Sequence, residues 1–217
     1  MSQVTLRLLR FTYKKLKENL TVSDSKTLFH EQFPYVIPSL FKRIVDEMLV
    51  ELNLLHHQSE FSVDSFFCVG LTEIFNDLTN GYEPKKHVEQ LFNALCTSTN
   101  FDPKNINETS IKTISEYKGR TLEEISDLII KSCPEKIYYS RIFVLGIYKI
   151  LSSANDFKEE EDIKKIVEIE KIVKNLNLPL VRAEKDISLF KSSIKKFEQA
   201  KELIKETIKS EREKRNK

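Results

Sequence analysis

Apolar positions along the chain recur at intervals of three and four residues. After Pro38, the residues Leu40, Ile44, Met48, Leu52 and Leu55 mark one face of a helix, with Arg43, Glu47 and Glu51 on another. Arg43 and Glu47, four apart, are spaced to pair on that outer face. A second helix is predicted over about Asp64 to Asn80. Phe66, Phe67, Val69, Leu71, Ile74, Phe75 and Leu78 make it apolar around most of its circumference, as expected of a central core helix. Gly81 stands where a left-handed C-terminal cap is expected, and Pro84 opens a third helix striped by Val88, Leu91, Phe92, Leu95 and Cys96.

The flanking segments read the same way. Ser23 is the expected N-cap of a short helix ending near Phe33, and Pro34 and Pro38 bracket the connection that follows. Asp102-Pro103 opens a helix to about Tyr117, before Gly119. Thr121-Leu122-Glu123-Glu124 is a capping box for a helix that ends by Pro134, and the next helix is predicted from Glu135 to Ala154. Phe67-Cys68-Val69-Gly70-Leu71 and Phe143-Val144-Leu145-Gly146-Ile147 both place glycine three residues after phenylalanine. Glycine inside a helix costs about 1 kcal/mol against alanine, so a packing reason is expected. The two helices are predicted to cross at Gly70 and Gly146.

Ile163, Ile166, Val167, Ile169, Ile172 and Val173 give a charged helix over Lys158 to Leu176 that should lie on the surface of the body. After Asn177-Leu178-Pro179, a last helix runs from Val181 to near Arg212. Ile187, Phe190, Ile194 and Phe197 keep a 3-4-3 spacing, and Ile204 and Ile208 return to it past Lys201. This stripe is a candidate partner-binding face in coiled-coil style; a long helix lying along its own domain satisfies the same pattern. The expected fold is all-α: a compact multi-helix domain with a long, partly coiled-coil-like C-terminal helix. The expected divisions are a basic extension over 1–20, a helical domain over 21–176 and the charged helix over 177–217.

Charge sharpens the ends. The formal net charge is +2, but residues 1–20 carry +4 and residues 183–217 another +4, leaving an acidic middle. In residues 1–20, Leu6, Leu9, Tyr13, Leu16 and Leu20 form one side of an amphipathic helix, flanked by Arg7, Arg10, Lys14 and Lys17. Those four are candidate membrane-surface residues; a packed N-terminal helix or an earlier-than-true start codon reads equally from the residues. No run approaches the ~20 apolar residues of a membrane span, so the chain is expected to be soluble or held at a membrane from one side. Three cysteines, Cys68, Cys96 and Cys133, are odd in number, widely spaced and set among apolar neighbours, which argues for buried thiols over disulfides or zinc.

Catalytic patterns are absent from the sequence. His30, His56, His57 and His87 form no HExxH or Glu-x-x-His arrangement, the glycines form no phosphate loop, and no GxSxG elbow occurs. Neither a cofactor nor an enzymatic activity is expected. The basic tail leaves a nucleic-acid-associated helical protein as the alternative function, although no zinc finger or RNP motif stands beside it and no specific nucleic acid is expected.

A resemblance supplies the leading function. Val22-Ser23-Asp24-Ser25-Lys26, Ile37-Pro38-Ser39-Leu40-Phe41, Glu47-Met48-Leu49-Val50-Glu51-Leu52-Asn53-Leu54-Leu55 and Asn80-Gly81-Tyr82-Glu83-Pro84 resemble the thylakoid formation protein family in order and spacing. The two Phe-to-Gly segments, Leu91-Phe92-Asn93-Ala94-Leu95 and Tyr139-Ser140-Arg141-Ile142 continue it, so that it covers roughly Val22 to Leu151. The chain has Val63-Asp64-Ser65 where the family usually has Tyr-Asp-Pro. The resemblance implies a non-enzymatic auxiliary factor of oxygenic phototrophs, acting in thylakoid membrane biogenesis and photosystem II assembly or repair. It also implies an FtsH-type membrane metalloprotease as partner, contact with photosystem II subunits, and a place on the cytoplasmic side of the thylakoid membrane and in the soluble cytoplasm or stroma; the basic ends add an expected peripheral contact with an anionic membrane surface.

Overall fold

The computed structural model describes residues 20–134, 136–155 and 162–215. Among them are nine helices and no strands: α1 (Val22–Gln32), α2 (Ser39–His56), α3 (Ser65–Thr79), α4 (Lys86–Ser98), α5 (Pro103–Tyr117), α6 (Leu122–Ser132), α7 (Arg141–Leu151), α8 (Asp162–Asn175) and α9 (Leu180–Arg215). The described residues fall into two compact units. One takes residues 20–61 and 82–105 with α1, α2 and α4; the other takes 62–81 and 106–215 with α3, most of α5, and α6 to α9.

In the first unit α1 packs on α2 and α4. Its N-cap is Thr21 rather than Ser23. The Thr21 side chain accepts from the Asp24 N–H at 3.2 Å and the Asp24 carboxylate accepts from the Thr21 N–H at 3.0 Å, a reciprocal box that Ser23 cannot make. The buried face of α2 is Phe41, Val45, Met48, Leu49, Leu52 and Leu55. Leu40 and Ile44, read as part of that stripe, are half-buried. Arg43 Nε donates to Glu47 Oε1 at 2.8 Å on the outer face, which holds the guanidinium above its ordinary pKa. Asn53, buried in α2, donates to the Leu20 carbonyl at 2.8 Å and to Ser25 Oγ at 2.9 Å, tying α2 to the start of α1.

In the second unit α3 is buried from Phe66 through Thr72, with Asp64 capping it through a 2.8 Å bond from the Phe67 N–H. Its main neighbour is α7. A Cβ on Gly70 would overlap the Ile142 carbonyl, and a Cβ on Gly146 would overlap the Phe66 carbonyl. The two glycines are therefore the crossing point, as the spacing predicts. Helix α7 starts at Arg141 and not near Glu135, because Ser140 Oγ accepts from the Phe143 N–H at 3.1 Å and ends the extended approach. Thr121 and Glu124 make the expected capping box on α6. Helix α8 buries Ile169, Ile172 and Val173, and its Lys171 meets Asp127 of α6 at 2.9 Å.

Candidate partner-binding face

Helix α9 runs unbroken for 36 residues, about 54 Å at 1.5 Å per residue. Its two halves have different surroundings. The first packs on α3, α7 and α8. Ala183, Ile187, Phe190 and Phe197 are buried there and Ile194 is half-buried. Polar contacts hold this half in place. The Tyr139 hydroxyl donates to Asp186 Oδ2 at 2.7 Å, and Arg182 stands 4.7 Å over the Tyr139 ring. Burial, followed by the bond to Asp186, pushes the Tyr139 phenol well above its usual range. Lys149 of α7 pairs with Asp77 of α3 and lies 5.7 Å from the centre of the Phe190 ring.

Beyond Lys201 every residue through Lys214 is exposed. Ile204 and Ile208 are 46% and 44% exposed, and Leu203 is 64% exposed. At about 100° per residue, Lys201, Lys205, Lys209 and Arg212 form a basic row directly beside the Ile204–Ile208 seam. Glu198, Glu202 and Glu206 form an acidic row beyond it, and Lys201 reaches back to Glu198 at 2.8 Å. Six residues of the predicted stripe therefore divide. Ile187, Phe190 and Phe197 are taken up by the chain's own core, Ile194 partly so, while Ile204 and Ile208 remain available to another surface. Leu203, which the 3-4-3 spacing passes over, is also exposed, about 100° around the helix from Ile204. Arg7, Arg10, Lys14 and Lys17 lie outside the described residues.

A cleft of about 360 Å³ opens between α7, α8 and α9, walled by Tyr148, Ile166, Ile169 and Ile187 with Glu184, Ser188 and Lys191 at its edge. It has hydrophobic walls and no histidine or cysteine. The histidines are engaged elsewhere. His57 Nδ1 and the Asn53 carbonyl are 2.7 Å apart, His56 packs edge-on to Phe101 with its pKa lowered by burial and then by His57, and His87 stacks on Tyr35. Among the described residues no three His, Cys, Asp or Glu side chains are grouped to hold a metal. Burial, then the Asp64 carboxylate, pushes the thiols of Cys68 and Cys133 up to about 12, which makes them poor nucleophiles at neutral pH. Among the described residues no helix is long and apolar enough to cross a membrane.

The family model described as thylakoid formation protein matches residues 21–217. Protein Thf1 of Prochlorococcus marinus subsp. pastoris (strain MED4) is 58% identical over 201 residues, covering 92% of this chain and 100% of its own length. Protein Thf1 of Prochlorococcus marinus strain MIT 9312 is 55% identical over 191 residues, covering 88% of this chain and 95% of its own. Among solved structures, that of Psb29 superposes with a TM-score of 0.81 at 28% identity, over 91% of this chain and 100% of that one.

Proposed function

The chain belongs to the thylakoid formation protein family, and from that membership we propose that it serves thylakoid membrane biogenesis and photosystem II assembly or repair as a binding factor rather than a catalyst. The observation that carries this is the family match over residues 21–217, joined by relatives named Thf1 that match along nearly their whole length. The family is described by what it forms, not by a reaction.

The chemistry of α9 supports a mechanism. Its outer half displays Ile204 and Ile208 beside a basic row. Such a seam suits an amphipathic helix with an acidic flank. We assign that helix to an FtsH-type membrane metalloprotease, with photosystem II subunits reached through the same assembly. The chain would work at the cytoplasmic or stromal face of the thylakoid membrane, with Arg7, Arg10, Lys14 and Lys17 attracted to its anionic surface.

The test is capture from gently solubilised thylakoid membranes with the tagged chain and with an Ile204→Glu/Ile208→Glu variant. Recovery of the protease with the parent, lost with the variant, supports the reading. Equal recovery by both moves the partner to another face. Recovery of nucleic-acid-binding proteins alone, abolished by nuclease, replaces the reading with the nucleic-acid alternative.

A further inference from the structure

The outer half of α9 carries a charge order that decides which helix can lie on it. Its inward limit is Lys201. That side chain is 11% exposed, with its stem 3.4 Å from where a Cβ on Gly81 would stand and its ammonium 5.4 Å from the centre of the Phe197 ring. A partner therefore reaches only the stretch from Glu202 to Lys214, about 20 Å long. Ile204 and Ile208 are the apolar residues of its seam, and Glu211, three residues on, continues that line. Two isoleucines make a small apolar contact, so the charges around them decide the choice of partner.

At about 100° per residue, Arg212, Lys205 and Lys209 stand about 60–120° to one side of the Ile204–Ile208 seam. Leu203, Thr207 and Lys214 stand about 80–120° to the other side, and Glu202, Glu206 and Glu213 about 140–180° away, on the back of the helix. All of these residues are exposed, and Lys205, Lys209 and Arg212 make no ion pair among the described residues. A second copy of the chain fits this order in neither direction. Two antiparallel copies bring like flanks together, which sets Lys205, Lys209 and Arg212 against the same three cations. Two parallel copies set Glu211 against Glu211 in the seam, and the basic flank against Leu203, Thr207 and Lys214, where no carboxylate stands. In both directions Glu202, Glu206 and Glu213 lie on the far side of the helix from the contact.

We infer that the outer half of α9 excludes a second copy of this chain and takes one helix of a different chain, with acidic residues along the flank that meets Lys205, Lys209 and Arg212 and a basic residue facing Glu211. This rests on the reading of α9 as the partner-binding face and adds the charge order that selects the partner. The four charges discriminate between helices that share the same apolar residues, and dissolved salt weakens that discrimination.

Two synthetic helical peptides test this. One has leucines for the isoleucine seam, glutamates along the facing flank and a lysine opposite Glu211; the other has each of those charges reversed. In amide NMR spectra of the labelled full-length chain, Ile204 and Ile208 should shift with the acidic-flank peptide, and its affinity should exceed that of the reversed peptide about tenfold or more. High salt should narrow the gap. Lys205→Glu/Lys209→Glu/Arg212→Glu/Glu211→Lys should exchange the preference while its circular dichroism matches the parent. In sedimentation equilibrium the parent should remain a monomer. Equal affinity for the two peptides, no shift with either, a preference that survives the charge exchange, or self-association of the parent that Ile204→Glu/Ile208→Glu abolishes would overturn the inference. The peptides contain no protease, so the two readings fail separately. A peptide preference without protease capture removes the protease and leaves the charge order, whereas protease capture undiminished by the charge exchange keeps the protease and overturns the charge order.

Discussion

Gly70 and Gly146 face each other across the α3–α7 crossing with no side chain between their backbones. A Cβ built on Gly70 would lie 3.0 Å from the Gly146 nitrogen, and one built on Gly146 would lie 2.9 Å from the Gly70 nitrogen. Two carbonyls, those of Ile142 and Phe66, stand closer still. The obstacle is backbone, which cannot rotate away as a side-chain tip would.

Gly146→Ala should therefore destabilise the chain even though alanine is the better helix former. The propensity gain of about 1 kcal/mol is outweighed by forcing apart two buried helices, with a net loss of about 2–3 kcal/mol. Thermal unfolding should show a fall in Tm of about 5–10 °C. An unchanged midpoint would mean that the crossing can widen freely.

Asn53 is the polar counterpart in the first unit. Asn53→Ala would leave the Leu20 carbonyl and Ser25 Oγ without their amide donor. Leaving buried acceptors unpaired costs about 1–3 kcal/mol. A lower denaturant midpoint with an unaltered slope would match this, and a collapse of the slope would point instead to loss of the α1 contact as a whole.

The two halves of α9 should respond oppositely to substitution. Phe197→Ala removes a buried ring and should cost about 3 kcal/mol of stability. Ile204→Glu changes an exposed position and should stay within about 0.5 kcal/mol. Melting curves of the two variants, measured beside membrane capture, separate the core role from the binding role.

The buried thiols predict a pH dependence. Folding raises Cys68 and Cys133 to about 12, against about 8.5 for a thiol in an unfolded chain. Between those values the unfolded chain holds fewer protons, so stability falls as pH rises above ~9 and is untouched by these groups below it. Alkylation at pH 8 should be slow in the folded chain and complete in denaturant. Cys133, only half-buried, should react before Cys68. Fast labelling of Cys68 in the native chain would contradict its burial.

Much of this fold is legible from spacing because local signals and packing agree. The Thr121–Glu124 box and the phenylalanine-to-glycine echo both carry their mechanism within a few residues. Thr21 is missed because Asp24 closes its box at a position where glutamate is the familiar signal. The start of α7 is missed because a serine cap at Ser140 counts for little in a run that is apolar on both sides. The division of the α9 stripe is invisible to periodicity, since a helix buries the same face against its own core as against another chain. The Tyr35–His87 stack joins residues about fifty positions apart, and no local pattern announces it. The same holds for the two units, because residues 82–105 return to the first only after α3 has joined the second.

One continuous helix both fills the core with Phe190 and Phe197 and displays Ile204 and Ile208, so α9 works like a keyed shaft. The angular setting of its outer end is dictated by how its inner end is seated. One alanine inserted after Ala200 would rotate the outer seam by about 100° relative to the body while leaving both ends helical. Seven would bring it back to within about 20° and carry it about 10 Å farther out. Partner capture that disappears with one inserted residue and returns with seven would show that phase, more than reach, is what the long helix provides.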